Sequence, residues 1–289
     1  MVRKVCCVLF LLVLAAGTLS AQMPGGYLDV ETVQLKPEKA SEFEAAVKKM
    51  VEANRRKGDT WLTFETIYGR GYEETFISNR ADHAALDKAM ADFMGALNKA
   101  YGEAGSKKLF QDYNTTVTGS RSELRRRRWD LSCNPPADAA AYTKWVGDAR
   151  FARIIRVRAR QGRFMQLEEG IKQVKSAEEK ASPPVSWAVS MSADGTSSGI
   201  YYITTLASSM AGFDGGPSLR ELLGEEEFKN FENGVSETVA EIDTAIYRIV
   251  PELSNPPEAI REVAPDFWTP KPKPAAKPKA KAAEPPKSQ

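Results

Sequence analysis

The chain has 289 residues, of which 42% are hydrophobic and 27% charged, with a formal net charge of +2. This is a globular composition with material for a sizeable core, and it lacks the concentrated basic excess of a nucleic-acid binder. Of its cysteines, Cys6 and Cys7 lie in the leader and Cys133 stands alone, so no intramolecular disulfide is possible in the mature chain.

Met1 to Ala21 reads as a signal peptide. Arg3 and Lys4 give the positive start, and Val5 to Ala16 is an apolar run too short for a stable membrane anchor. Leu19-Ser20-Ala21 offers small residues for cleavage. The expected protein is exported, periplasmic or secreted, with no transmembrane segment once the leader is removed.

Residues 22–136 are expected to form a first repeat. Tyr27 to Leu35 is its opening strand, and Pro37 starts a helix carrying Phe43, Val47, Met50 and Val51. Trp61 to Tyr68 and Glu74 to Asn79 pair across Gly69-Arg70-Gly71. A helical stretch follows from about Asp92 to Val117, broken near Gly102 and Gly105, and Leu124 to Leu131 closes the repeat.

Residues 137–257 are expected to form a second. Phe151 to Ala159 is β-branched and alternating. Phe164, Leu167, Ile171 and Val174 recur at helical spacing until Pro183-Pro184. Val185 to Ser192 and Gly199 to Leu206 flank the turn Asp194-Gly195, a helical region spans Glu225 to Glu241, and Ala245 to Val250 is the last strand. Residues 258–289 are read as a disordered Pro/Lys/Ala-rich basic tail, the bias being strongest from Thr269. Pro270 to Gln289 holds six Lys and one Glu, which leaves the body between leader and tail net acidic. Such a tail suits an anionic envelope polymer.

The two stretches are one pattern written twice. Asp130-Leu131-Ser132-Cys133-Asn134-Pro135-Pro136 reappears as Glu252-Leu253-Ser254-Asn255-Pro256-Pro257 without the cysteine. Trp61 stands opposite Trp187 and Phe76 opposite Tyr202, each 126 residues on, and Phe43 opposite Leu167 at 124. A spacing that drifts so little points to duplication with small loop changes. The order βαββαβ gives a four-stranded antiparallel sheet with both helices on one face, the ferredoxin-like arrangement. Two such sheets can hide their bare faces against each other. The expected fold class is therefore α+β, two tandem ferredoxin-like repeats packed as a pseudo-dimeric α/β barrel.

This layout resembles the dimeric α/β-barrel superfamily, which includes antibiotic-biosynthesis-type monooxygenases, stress-response relatives and haem-handling members. No signature motif accompanies the resemblance, so no catalytic residue is carried over from it.

Trp61, Phe76, Trp187 and Tyr202 are expected to wall an apolar ligand cavity or to fill the core between sheet and helices. Arg125 and Arg127 share one strand face, where they bind an anion between the sheets or pair with acids. Glu65, on the strand face of Trp61 and Thr63, is a candidate base. His83 is the sole histidine and the one candidate axial ligand should haem bind, although its charged surroundings fit a helix start. No metal site is expected, and no phosphate loop or nucleophile elbow is present. The favoured reading is a non-enzymatic, exported protein that binds a small apolar or anionic molecule without a cofactor and without nucleic acid. The alternatives are a cofactor-independent monooxygenase or isomerase in the same cavity, and a structural or protein-interaction module.

Overall fold

The computed structural model describes residues 24–269. Its strands are β1 (Tyr27–Leu35), β2 (Leu62–Tyr68), β3 (Glu73–Arg80), β4 (Val117–Arg127), β5 (Phe151–Ala159), β6 (Ala188–Asp194), β7 (Ile200–Ala207) and β8 (Val239–Ile249). Its α-helices are α1 (Ala40–Asn54), α2 (Ala84–Thr116), α3 (Ala139–Gly147), α4 (Phe164–Glu178), α5 (Leu219–Leu223), α6 (Glu225–Thr238), α7 (Glu258–Val263) and α8 (Pro265–Trp268). The expected signal peptide and the segment from 270 onward lie outside the described residues. Among the described residues no helix is long and apolar enough to cross a membrane.

Every strand pairing is antiparallel, and the order β1-β3-β2-β8-β5-β7-β6-β4 closes on itself. The fold is α+β with an eight-stranded closed barrel. Within it β4-β1-β3-β2 come from the first half and β8-β5-β7-β6 from the second. They meet at two seams, Phe64 opposite Ile249 and Arg127 opposite Ser190.

Period-two alternation sorts each strand into two faces. On β1, Val33 packs against Phe43, Val47 and Val51 of α1. Thr32 turns the other way, into the barrel, and shares a 3.1 Å hydrogen bond with Thr75 of β3. The helices α1, α2, α4 and α6 coat the outside. α1 buries Phe43, Ala46, Val47, Met50, Val51 and Asn54, one stripe at helical spacing.

α2 breaks at Gly102, whose φ of 72° is a left-handed value that favours glycine, while Gly105 stays helical. The same backbone recurs at Gly224, φ 78°, between α5 and α6. β4 and β8 begin earlier than their expected positions at Leu124 and Ala245. Their first turns carry Arg121, Glu123, Glu241 and Asp243, whose partners lie inside the barrel: Arg121 with Glu73, Arg158 with Glu241. A charged lumen hides the apolar alternation by which strands are recognised.

The repeated phrase at the end of each half clasps the other half. Trp61 exchanges backbone hydrogen bonds with Asn255 at 3.0 and 2.9 Å, and its indole N–H donates to the Leu253 carbonyl at 2.8 Å. Cys133 and Trp187 exchange the matching pair at 3.0 and 3.2 Å. Ser254 Oγ accepts from the Thr63 N–H at 2.8 Å, and Ser132 Oγ accepts from the Val189 N–H at 2.9 Å.

One mouth of the barrel is plugged. α3, for which no element was expected, is capped by Asp138, whose carboxylate accepts from the Ala141 N–H at 2.8 Å. Its Tyr142 and Val146 join Ile260 and Trp268 over Phe64, Ala152 and Ile249. The assignment of residues 258–289 to a disordered tail is corrected for its first part. Residues 258–268 form α7 and α8, with Ile260 4% and Trp268 1% exposed, and the Trp268 indole donates to the Gly147 carbonyl at 2.9 Å. Proline-rich flanks hid two short helices that carry large apolar anchors. Trp268→Ala is expected to destabilise the fold by about 3–5 kcal/mol, read from denaturant unfolding; a loss below about 1 kcal/mol would return the segment to the tail.

Candidate active site

A cavity of about 470 Å³ lies in the first half between the sheet and its two helices. Strand side chains Trp61 and Phe76, helix side chains Met50, Met90, Phe93, Phe110 and Tyr113, and the smaller Val47, Leu86 and Ala89 form an apolar, aromatic-rich wall. The polar groups are Asp29, Glu31, Asp59, Ser78, Arg80 and Ser122.

Arg80 is fully engaged. It donates to both oxygens of Asp59 at 2.9 and 2.7 Å, and through Nε to Asp29 at 3.1 Å. The bidentate pair fixes the rim and leaves the guanidinium no spare charge for a ligand. Glu31 is different. It lines the cavity while its residue stays exposed to solvent, has no cation within 4.0 Å among the described residues, and titrates above the usual glutamate range. Low-dielectric surroundings are the main cause and the Asp29 charge the second. Tyr113 is held protonated, by burial first and then by Glu31. The cavity thus presents a carboxylate of raised basicity beside a phenol, facing aromatic rings.

The sequence candidates separate. Trp61 and Phe76 meet in this cavity. Trp187 is buried in the core of the second half, its indole donating to Glu178. Tyr202 points into the barrel: it donates to Glu123 at 2.8 Å, and the Arg125 guanidinium stacks 3.5 Å above its ring. The pairing of Phe76 with Tyr202 is therefore off by one. Leu62 faces Ile77 while Ala188 faces Thr204, so the second hairpin is one residue longer, and a one-residue slip reverses the face. Arg125 and Arg127 lie in the barrel with Tyr202, apart from the α1–α2 cavity.

Glu65 sits midway along β2, its carboxylate bound to Arg248 and its side chain 38% exposed. His83 precedes α2 with its side chain 62% exposed, 3.6 Å from Asp194 and edge-on to Tyr27. Neither belongs to the cavity wall. Glu31 escaped sequence reading because Asp29 and Glu31 alternate like a solvent face. A signal existed: in the duplicated pattern Glu31 falls opposite Ile155, a core-packing residue.

Glu74, cross-strand from Glu65, is 7% exposed and its carboxyl is pushed up to about 8, by burial first and by the Glu65 charge second.

No family model matches the chain, and no curated protein matches it. Solved structures do. A monooxygenase from Lactobacillus acidophilus aligns at 10% identity over 78% of this chain and 94% of that one, with a TM-score of 0.48. A heme-binding protein from Thermus thermophilus aligns at 12% identity over 80% and 94%, TM-score 0.45. A mutant chlorite dismutase from Candidatus Nitrospira defluvii aligns at 11% identity over 84% and 97%, TM-score 0.44. At these identities the likeness is one of fold alone.

Two expectations are corrected by these findings. The expectation of a non-enzymatic binding protein is withdrawn, because these structures are named for a monooxygenase and a dismutase and run against it. The expectation of no cofactor is withdrawn, because one neighbour is named as heme-binding. The donors for a haem are specific, however. His83 stands outside the cavity, and Cys133 is buried in the second half with its thiol pushed up to about 12. A haem held in the α1–α2 cavity by imidazole or thiolate does not fit, and no step is routed through one.

Glu74 generates a pH prediction. Its folded pKa of about 8 stands above the ordinary glutamate value of 4.5, so its contribution is complete below about 4.5 and lost as pH rises through 8. Glu74→Gln, which mimics the neutral acid, is expected to raise Tm at pH 9 and to leave it near wild type at pH 5. Equal effects at both pH values in thermal unfolding would refute the assignment.

Proposed function

We propose that the chain is an enzyme acting on a small, mainly aromatic substrate in the α1–α2 cavity, with Glu31 as its general base. The observation that carries this is Glu31 itself, a carboxylate of raised pKa without an ion-pair partner, set in an aromatic and methionine wall. Such a group takes a proton from an acidic C–H or O–H of a bound ring. That proton removal is shared by oxygenase chemistry, where the substrate carbanion is itself the reductant and a ring CH2 becomes a carbonyl with one oxygen of dioxygen while the other leaves as water, and by isomerase chemistry, where the proton returns elsewhere. Monooxygenase chemistry is the reading favoured here, in keeping with the name of the Lactobacillus structure. Trp61, Phe76 and Phe93 position the ring by stacking, and Tyr113 donates a hydrogen bond to the developing oxyanion.

Two companion readings belong to the proposal. The halves, residues 22–136 and 137–257, descend from one duplicated ferredoxin-like repeat; the repeated clasp and the paired breaks at Gly102 and Gly224 support this. Residues 1–21 direct export and the Lys-rich end holds the enzyme near an anionic envelope surface, supported by composition.

Glu31→Gln is expected to lower kcat/KM for an electron-rich phenol by about 10²–10⁴-fold, followed by oxygen uptake. In the wild type the rate falls as pH drops through the Glu31 pKa, so the acid limb stands above the ordinary glutamate range. Unchanged turnover in Glu31→Gln would reject the base; turnover without oxygen uptake would move the reaction to the isomerase class. Addition of haem, watched for a Soret band, tests the cofactor separately.

A further inference from the structure

A second cavity, of about 120 Å³, lies inside the barrel beneath the α3–α7 plug. Its wall is apolar in the main, with Phe64, Ile77, Ile154 and Leu206 from both halves, and it includes Arg125 and Arg127 of β4. Those two arginines are in opposite electrostatic situations. Arg125 is neutralised by Glu123 at 3.0 Å. Arg121, Arg128, Arg156 and Arg158 likewise each hold a carboxylate within 4.0 Å. Arg127 has no such partner among the described residues. It donates to the Tyr142 hydroxyl at 2.7 Å and to the Asn79 side-chain oxygen, its guanidinium lies 5.1 Å from the Trp129 and Tyr142 ring centres, and its Nε–H is buried with no acceptor.

A half-buried cation with neutral partners and an orphaned donor is costly in a low-dielectric interior. An anion in the adjacent cavity would remove both deficits at once, by supplying a counter-charge and an acceptor. Size limits the anion. Apolar cavities of ~150 Å³ take a benzene ring, so the body of the ligand is one aromatic ring or a short acyl chain.

We propose that the lumen cavity is a second binding site, for a small monocarboxylate with an apolar body, held by Arg127. The site is separate from the α1–α2 cavity and does not depend on Glu31 acting as a base.

The test uses the full chain, with benzoate as the anionic probe and benzamide as its neutral match in size, by calorimetry and by thermal shift. Benzoate is expected to bind at least about tenfold more tightly than benzamide and to raise Tm in proportion to occupancy. Arg127→Gln keeps an amide donor and removes the charge, and is expected to erase that preference. Ala152→Leu, which fills the lumen cavity with Arg127 intact, should abolish benzoate binding. Ala89→Leu, in the α1–α2 cavity, and Glu31→Gln should leave it within about twofold. Where Arg127→Gln does not fold, the Ala152 and Ala89 variants decide the matter alone. Equal affinity for benzoate and benzamide would overturn the proposal. So would no benzoate binding by the folded chain up to about 10 mM, or loss of binding in Ala89→Leu and not in Ala152→Leu.

Discussion

An open four-stranded sheet has two edges, each a row of backbone donors and acceptors without partners, and that constraint organises the whole molecule. The first half would expose β2 and β4, the second β6 and β8. Each edge is satisfied by the other half, β2 by β8 and β4 by β6. Full closure removes edges altogether, and the repeated Leu-Ser phrases continue the pairing past each seam by locking onto Trp61 and Trp187. Neither half is complete alone. The lumen and its plug exist only because both seams hold.

Once closed, the two halves use their equivalent surfaces differently. In the first, Glu31 faces a cavity bounded by the two arms of the long, broken α2. In the second, the corresponding Ile155 packs against a filled core with Leu167, Ile171 and Trp187, and a five-residue α5 replaces the first arm of α2. One half packs its surface where the other leaves a cavity. The asymmetry also explains why the aromatic matches between halves mislead when read as one site. Trp61 and Trp187 occupy equivalent positions 126 residues apart, yet one meets a cavity and the other is core.

Much of the architecture was legible in the letters. β1 and β5 run from Tyr27 to Leu35 and from Phe151 to Ala159, where β-branched alternation placed them. The site was far less legible, for physical reasons. Strand alternation tells which residues share a face, but a barrel has a lumen and a helix-covered outside, and both accept polar groups. Glu31 and Glu65 both face outward on their strands. One opens into an aromatic cavity and the other reaches Arg248 at the surface, a difference set by which helix lies above. Tyr202 needed the hairpin length known to one residue. α3 was missed because its apolar residues seal the barrel mouth and do not form a stripe along a helix pair.

The two halves differ in how they accommodate an acid between sheet and helix. In the second, Glu168 of α4 accepts from Arg128 at 2.6 Å and from Tyr201 at 2.8 Å, and its carboxyl is held below the usual range, the Arg128 hydrogen bond foremost. In the first, the corresponding positions are Glu44, Val250 and Glu74. Val250 and Glu74 stand where Arg128 and Tyr201 do in the second half, so the buried Glu74 carboxyl has no ion-pair partner among the described residues, while Glu44 is paired with Lys48. An interior that cannot pair a charge removes it. Glu74 accordingly keeps its proton up to about pH 8, and Arg248 is left to serve Glu65 at the rim. The acid between sheet and helix is ion-paired in one half and protonated in the other.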